Sequence, residues 1–343
     1  MKKLLNTLFV TTPDVYLSLD GENVVVKNDK ESIGRYPLHN LEGICVFGYS
    51  GVSPAFMGAC VERNVGLTFV TKNGRFLARV SGETRGNVVL RKEQYRISDD
   101  EKRSAIISRN FILGKIFNGK WILERATRDY PLRLDVDKIK SISSSLSEAM
   151  KAVRIVEDLD VLRGVEGNAA ALYNSAFDDL ILQQKEHFYF KSRNKRPPLD
   201  NVNALLSFAY TLLANDMKSA LESVGLDAYV GFLHRDRPGR ASLALDMMEE
   251  LRGVFADSFV ISMINNKIIN HRGFFQKENG AVIMDEETRK KVIIDWQKKK
   301  QEKIQHPYLN EKISWGLVPY AQALLLARYI RGDLDEYPPF LWK

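Results

Sequence analysis

Ser98-Asp99-Asp100-Glu101 divides the chain into two kinds of sequence. Upstream, apolar residues come in short β-branched or aromatic runs; downstream, they recur at helical spacing to the C-terminus. The tetrapeptide reads as a capping box, in which Ser98 accepts from the amide three residues on and the Glu101 carboxylate reaches back. It places a boundary at 96–103 and predicts an α+β protein, with a small β-rich N-terminal domain over 1–97 and a larger all-helical C-terminal domain over 98–343.

Outward from that point toward the N-terminus, three runs read as strands: Val15-Tyr16-Leu17-Ser18-Leu19, Asn23-Val24-Val25-Val26-Lys27 and Gly66-Leu67-Thr68-Phe69-Val70. Asp20-Gly21 and Asn73-Gly74 fall between such runs and are dipeptides that tolerate the positive φ of tight hairpin turns. Apolar residues at helical spacing over 53–63 predict one interrupting helix, so the module is β-rich with a helix and not a doubly wound sheet. Around the boundary, Arg85, Arg91, Lys92, Arg96, Lys102 and Arg103 form either a phosphate-facing hinge or a solvated linker.

A formal net charge of +7 favours a polyanionic partner, because clustered Lys and Arg attract phosphates over long range. The two cysteines, Cys45 and Cys60, sit singly in apolar sequence, which argues against a zinc ribbon and suits a reducing compartment. The opening Met1-Lys2-Lys3-Leu4-Leu5 imitates a signal peptide only until Thr11-Thr12-Pro13-Asp14 breaks the apolar run. No stretch approaches the ~18 apolar residues of a membrane-spanning helix. A cytoplasmic protein with no membrane partner is expected.

Two segments carry candidate chemistry. In the stretch 161–173, Val161, Leu162, Val165, Ala169, Leu172 and Tyr173, extended by Phe177, form one apolar arc at 100° per residue, and Glu166 falls inside it. A carboxylate on a packed face loses hydration and needs a cation, a metal or a proton. Gly164 and Gly167 lie on the other face, where their lack of a side chain permits close approach of something. A structural pairing of Glu166 with an arginine fits the same pattern. The second segment runs from Gly231-Phe232-Leu233-His234 through Arg235, Arg237, Pro238, Gly239 and Arg240 to a helix beginning near Ser242. Leu243, Ala244, Met247, Met248 and Leu251 would bury one face of that helix, leaving Asp246, Glu249 and Glu250 on the other. One imidazole with carboxylates across a turn suits Mn²⁺ or Mg²⁺, and the three arginines alongside suit phosphate oxygens. A solvated acidic face beside an ordinary loop histidine is the competing reading.

Between these segments, 185–200 reads as a loop in which Phe188, Tyr189 and Phe190 accompany Lys191, Arg193, Lys195 and Arg196. Stacking aromatics and cations suit splayed nucleic acid, and a packed surface loop is the alternative. Asp200 is positioned to cap a helix over 202–215. His39, His187, His271 and His306 have no carboxylate at ligand spacing, and no nucleotide-binding glycine loop occurs. The run Lys298-Lys299-Lys300 reads as solvated.

Leu162-Arg163-Gly164-Val165-Glu166-Gly167 with Tyr173 resembles the first motif of the CRISPR-associated (Cas) protein-one family, the integrase of spacer acquisition. Pro198, Asp200 and Asn203-Ala204-Leu205-Leu206-Ser207 with Tyr210 resemble its second. Gly225-Leu226-Asp227 leading to His234, then Ser242-Leu243, Leu245-Asp246 and Met248-Glu249, resemble its third. Tyr320, Gln322 and Tyr337-Pro338 also fit, so the likeness spans the chain. It implies that the helical domain is catalytic, and that Glu166, His234 and Glu249 bind one Mg²⁺ or Mn²⁺ ion supported by Asp246, Tyr173 and Tyr210. Arg235, Arg237, Arg240, Arg252, Lys191, Arg193, Lys195 and Arg196 become candidates for DNA contact. Gly253 stands where many members have proline.

The implied reaction is metal-dependent phosphoryl transfer: the 3′-hydroxyl of a prespacer end attacks a phosphodiester of the CRISPR repeat, and one phosphodiester replaces another. Water in place of the hydroxyl would make the same site a stand-alone nuclease on branched or single-stranded DNA, and a non-catalytic DNA-binding scaffold is the reading from charge alone. The resemblance also implies a homodimer, formed through the β-rich module and joined by a dimer of CRISPR-associated protein two.

Overall fold

The computed structural model describes residues 7–29, 31–41, 43–71, 76–82 and 88–343. The opening pentapeptide, the Asn73-Gly74 dipeptide and Arg85 lie outside the described residues.

The N-terminal strands form where β-branched runs occur. They are β1 (Thr7–Val10), β2 (Val15–Asp20), β3 (Asn23–Asn28), β4 (Glu31–Pro37), β5 (Gly43–Phe47), β6 (Gly51–Val52), β7 (Gly66–Val70) and β8 (Phe76–Val80). Helix α1 (Pro54–Glu62) interrupts them; the Ser53 hydroxyl accepts from the Phe56 amide at 3.2 Å and Pro54 occupies the first turn, where a missing N–H does no harm. One sheet has the order β4-β3-β2-β6 and the other β1-β5-β7-β8, the latter parallel except at its last pair. The β2–β3 hairpin closes at Asp20↔Asn23, with Gly21 at φ +56°, so the Asp20-Gly21 turn forms as expected. Leu17, Val24, Val26, Ile44, Val46 and Leu67 meet Phe56 and Cys60 of α1 in one core. Burial pushes the Cys60 thiol up to about 12.

The remaining elements are α2 (Val88–Ser98), α3 (Glu101–Asp129), α4 (Val136–Ile155), α5 (Leu159–Ser175), α6 (Asn201–Ser223), α7 (Ser242–Leu251), a π-helical turn (Arg252–Asp257) and α8 (Ser258–Asn265). They continue with the hairpin of β9 (Phe274–Gln276) and β10 (Val282–Met284), α9 (Glu286–Gln301), the hairpin of β11 (Lys303–Gln305) and β12 (Lys312–Ser314), and α10 (Val318–Ile330). The C-terminal part is therefore mostly, and not wholly, helical. Asp200 caps α6 by accepting from the Asn203 amide at 2.7 Å, and the helix runs on to Ser223, beyond the expected end at 215.

The expected capping box is not formed. Ser98 is the last residue of α2, and Asp100 caps α3 by accepting from the Lys102 and Arg103 amides. The basic stretch before it is a helix rather than a linker, with Arg96 and Arg103 both paired to Glu93. Helix α2 is tied to the segment 227–231: the Gln94 amide donates to the Asp227 and Val230 carbonyls at 2.8 Å, and the Ser98 hydroxyl to the Gly231 carbonyl at 2.8 Å. Accordingly one compact unit comprises residues up to Gly86 with Glu286–Glu302 and Trp315–Leu317, and the other comprises Asn87–Asp285, Lys303–Ser314 and Val318–Lys343. The division falls at 86/87 and not at 96–103, and α9 joins the first unit from far along the chain. Within the lysine run, Lys298 pairs with Asp295 and Lys299 with Glu302, while Lys300 is buried, so the run is not simply solvated.

In the second unit α3 packs against α4, α5 and α7. Ile112, Ile116 and Leu123 of α3 share a core with Ile139, Ile142 and Leu146 of α4 and with Leu162 and Ala169 of α5. That packing sets the backbone positions from which the site is built.

Candidate active site

Glu166 projects from α5 and Glu249 from α7, and the two carboxylates meet at one nitrogen. Lys115 Nζ, from α3, contacts Glu166 Oε1 and lies 2.6 Å from Glu249 Oε2. The side chains are 18% (Lys115), 26% (Glu166) and 8% (Glu249) exposed, so the charges are largely withdrawn from water. The second oxygen of Glu249 accepts from Arg252 at 2.6 Å. Burial alone would raise the Glu249 pKa, but the Arg252 and Lys115 charges outweigh it and hold the carboxylate at about 2. Glu249 is thus ionised at neutral pH with a cation on each oxygen.

On α5, Leu162 and Ala169 are buried and Val165, Leu172 and Tyr173 pack against the same core, whereas Val161 is 55% exposed and Phe177 lies beyond the helix. Nothing in the described chain comes within 4 Å of a Cβ built at Gly164 or Gly167. Among the described residues, the close partner expected for them is not found.

The histidine is oriented by Asp246, which is wholly buried. Asp246 Oδ2 accepts from the Phe232 and Leu233 amides at 2.7 and 2.9 Å, and Oδ1 from the His234 amide at 3.0 Å. The same Oδ1 lies 2.5 Å from His234 Nδ1; a carboxylate oxygen there accepts the ring N–H and turns Nε2 away from Asp246. A Cβ at Gly231 would come within 2.8 Å of Asp246 Oδ2 and of Ser242 Cβ, so only glycine lets this segment lie so close to α7. Arg163 Nε and Nη2 hold the Leu233 carbonyl at 3.0 and 2.8 Å, tying the residue before His234 to the helix that carries Glu166.

Helix α7 is not a solvated acidic helix. Besides the expected Leu243, Ala244, Met247, Met248 and Leu251, Asp246, Glu249 and Glu250 are all buried. Glu250 turns away from Lys115: its oxygens accept from the Tyr337 hydroxyl at 2.7 Å, the Phe340 amide at 2.7 Å and the Gln322 amide at 3.0 Å. Burial pushes its pKa up to about 8 against those donors. The family-like residues Gln322 and Tyr337 therefore serve Glu250, and Gln322 also receives His306.

Behind Glu249, the π-helical turn brings two residues five apart to one tyrosine. The Arg252 guanidinium lies 4.4 Å from the Tyr210 ring centroid, and the Tyr210 hydroxyl donates to Asp257 Oδ1 at 2.5 Å. Burial and the neighbouring Asp257 carboxylate raise the Tyr173 and Tyr210 pKa values, so both rings are neutral. Gly253 allows this turn to approach α3, since a Cβ there would meet Ile122 Cδ1 at 2.9 Å. Lys115, Tyr173, Tyr210, Arg252 and Asp257 line a cavity of about 60 Å³.

The expected stacking loop is only partly a surface. Phe188 and Phe190 are buried, the latter 4.6 Å from the Phe177 ring, and Tyr189 alone is exposed, with Lys191 Nζ 5.6 Å from its ring. Arg193 points inward, donating to Asn203 Oδ1 at 2.7 Å and Ser207 at 3.1 Å, so its expected role toward DNA gives way to holding the loop on α6. Arg252 is likewise committed, to Glu249 and Tyr210, and Arg235 pairs with Asp160. Among the described residues, Lys195, Arg196, Arg237 and Arg240 make no ion pair. The Lys195 pKa is lowered by desolvation and by the like charges of Arg252, Arg196, Arg193 and Arg240. Desolvation lowers that of Arg240, with Arg237 and Arg196 adding to it. Such mutually repelling cations are an anion-receptive cluster.

The model of the family described as CRISPR associated protein Cas1 matches residues 8–298. The CRISPR-associated endonuclease Cas1 1 of Chlorobaculum tepidum is 48% identical over 343 residues, covering 100% of both chains. This chain belongs to the Cas1 family. A Cas1 endonuclease of Thermus thermophilus is 36% identical over 98% of this chain and 97% of its own. Two solved structures share the fold at lower identity. A casposase bound to integration product has a TM-score of 0.83 at 23% identity, covering 98% of this chain and 93% of its own. A Cas1 protein from Thermotoga maritima has a TM-score of 0.79 at 20%, covering 95% and 97%.

For a Cas1 chain the donor set suits a hard divalent ion: two carboxylates already share one cation, and an imidazole turns its Nε2 away from Asp246. Among the described residues, however, no three His, Cys, Asp or Glu side chains are gathered as a metal cluster. Glu166 and Glu249 are brought together, while the His234 ring is held by Asp246 rather than by either of them. Lys115 was missed by sequence reading. Its signal is a lone cation on the α3 face that carries Ile112, Ile116 and Gly119.

Proposed function

We propose that this chain joins the 3′-hydroxyl ends of a DNA duplex to a CRISPR repeat by transesterification, using a Mg²⁺ or Mn²⁺ ion held by Glu166, His234 and Glu249. The observation that carries the reading is the convergence of Glu166 and Glu249, from separate helices, on a single cationic nitrogen in a Cas1-family chain. The relatives named as endonucleases and the casposase with its integration product favour DNA strand chemistry.

A divalent ion at this site would act as a Lewis acid on the scissile phosphate and offset the charge developing on its oxygens. The chain's own residues do the rest. Asp246 fixes the His234 ring with Nε2 turned away from it, and Arg252 keeps Glu249 ionised and aimed. Lys195, Arg196, Arg237 and Arg240 receive phosphates, and the uncovered Gly164 and Gly167 face leaves room for a backbone to approach Glu166. The attacking 3′-oxygen loses its proton and forms a bond to phosphorus, the bond to the repeat's 3′-oxygen breaks and that oxygen takes up a proton to leave as a hydroxyl, and the number of phosphodiesters is unchanged. No ATP is needed.

The working assembly in this reading is a homodimer, formed through the β-rich module and bridged by CRISPR-associated protein two. One fold neighbour, 22% identical, comes from a Cas6-RT-Cas1–Cas2 complex. The test mixes the protein and that partner with Mg²⁺ or Mn²⁺, labelled 3′-hydroxyl duplex ends and a repeat-containing plasmid. Joined product is expected from wild type and not from Glu166→Gln or His234→Ala. Equal joining by all three proteins refutes the assignment; shortened, unjoined label points to a stand-alone nuclease, and metal-independent binding without turnover to a scaffold.

A further inference from the structure

We infer that Lys115 is a built-in counter-cation that competes with the divalent ion for Glu166 and Glu249 and thereby couples metal binding to DNA binding. The inference rests on the proposed metal reading and adds a residue that composition and motifs do not assign.

The geometry is specific. Lys115 Nζ contacts one oxygen of each carboxylate, and Arg252 occupies the remaining oxygen of Glu249. Two carboxylates and two cations leave this buried group neutral without any added ion. A divalent cation placed between the same oxygens would stand within a few ångströms of the ammonium, in a setting where water screens poorly. The ammonium must then withdraw. It can do so because it sits on four methylenes and is 18% exposed, whereas Arg252 is pinned between Glu249 and the Tyr210 ring.

Withdrawal leaves an excess of positive charge at the mouth of the site: the ion, the displaced ammonium, and the cluster of Lys195, Arg196, Arg237 and Arg240. A DNA phosphate supplies the compensating negative charge. Metal and DNA are therefore expected to favour each other, and by thermodynamic reciprocity each raises the other's affinity by the same factor. Without DNA, Lys115 holds the two carboxylates together and lowers their affinity for the ion.

The experiment measures Mn²⁺ binding by the full chain, from the electron paramagnetic resonance signal of free Mn²⁺, with and without a short duplex. Lys115→Met, Lys115→Gln, Lys115→Arg and Glu166→Gln are compared with wild type. Removing the ammonium should raise Mn²⁺ affinity in the absence of DNA by ~10-fold or more. The gain that DNA brings should shrink correspondingly, and Lys115→Arg, which keeps the charge, should stay close to wild type. Melting in excess chelator gives an independent readout, in which Lys115→Met and Lys115→Gln melt below wild type and recover when Mn²⁺ is added. Unchanged or weaker Mn²⁺ binding in both neutral variants, with binding still lost in Glu166→Gln, overturns the role of Lys115 and leaves the metal reading intact. No Mn²⁺ binding by any protein, with or without DNA, overturns both.

Discussion

Replacing Asp246 by asparagine changes one atom of a wholly buried side chain, and the structure says what that atom does. Oδ2 accepts from two amides, at 2.7 Å from Phe232 and 2.9 Å from Leu233, and Oδ1 from the His234 amide at 3.0 Å and the ring Nδ1 at 2.5 Å. An asparagine offers one carbonyl oxygen, so in either rotamer two of these groups face an NH₂ that donates instead of accepting. With the NH₂ at the Oδ2 position, two buried amides are orphaned, at about 1–3 kcal/mol each. With the NH₂ at the Oδ1 position, the ring must present its lone pair at Nδ1. Its proton then moves to Nε2, where it blocks ligation. The His234 turn should loosen by at least about 2 kcal/mol, which is ~30-fold faster amide exchange. Metal affinity should fall ~10–100-fold, the usual effect of losing a group that orients a ligand. Hydrogen exchange of a peptide covering 230–236, alongside Mn²⁺ titration, measures both. Wild-type exchange together with unchanged metal affinity in Asp246→Asn would show that the carboxylate does not orient the imidazole.

Three further outcomes are expected from particular residues. Replacing Lys195, Arg196, Arg237 and Arg240 together by alanine should weaken duplex binding and flatten its salt dependence by ~0.9 per lost phosphate contact, as read by anisotropy across a KCl series; Arg193→Ala should leave that slope alone and lower the melting temperature instead. Glu124 is pushed up by burial but pulled lower overall by Lys140 and Ser143, which bind α3 to α4. A carboxylate whose folded pKa is depressed contributes stability above its unfolded pKa, and that contribution disappears as pH falls through the folded value. Glu124→Gln should therefore melt lower at pH 7, with the gap closing under acid; a constant gap would contradict the ion pair. Cys60, with its thiol near 12, and the buried Cys45 should react with a thiol reagent only slowly until denaturant is added, and rapid labelling of native protein would contradict their burial.

Some features were legible because they are local. The runs that became β2, β3 and β7 carry their own pattern, α1 shows in the helical spacing of its apolar residues, and Asp200 announces the start of α6 through its carboxylate cap. Glu166 was conspicuous as a carboxylate within an apolar arc. The stretch around Ser98 misled for an equally local reason. It offers two capping residues in close succession, and the choice of Asp100 depends on α2 forming, which in turn depends on Gln94 and Ser98 reaching 227–231. Arg193 and Arg252 look like their exposed neighbours in composition, and only their partners Asn203, Ser207 and Glu249 mark them as internal.

By itself the chain's pattern of apolar and capping residues determined that strands come first and helices come after, and it marked Glu166 as a carboxylate within an apolar arc; it grouped Asp246, Glu249 and Glu250 alike on one face, and only the family resemblance picked Glu249 from among them and joined it to Glu166 and His234. Tertiary structure alone decided what those residues meet. Periodicity describes one helix at a time, and α7 has a polar face only when its neighbours are ignored. Packed against α3 and α6, that face is divided: Glu249 is turned to Lys115 and Arg252, and Glu250 to Gln322, Tyr337 and Phe340. Two adjacent glutamates acquire opposite charge tendencies, one held at about 2 and the other pushed up to about 8, because burial without a cation favours the proton and burial between two cations expels it.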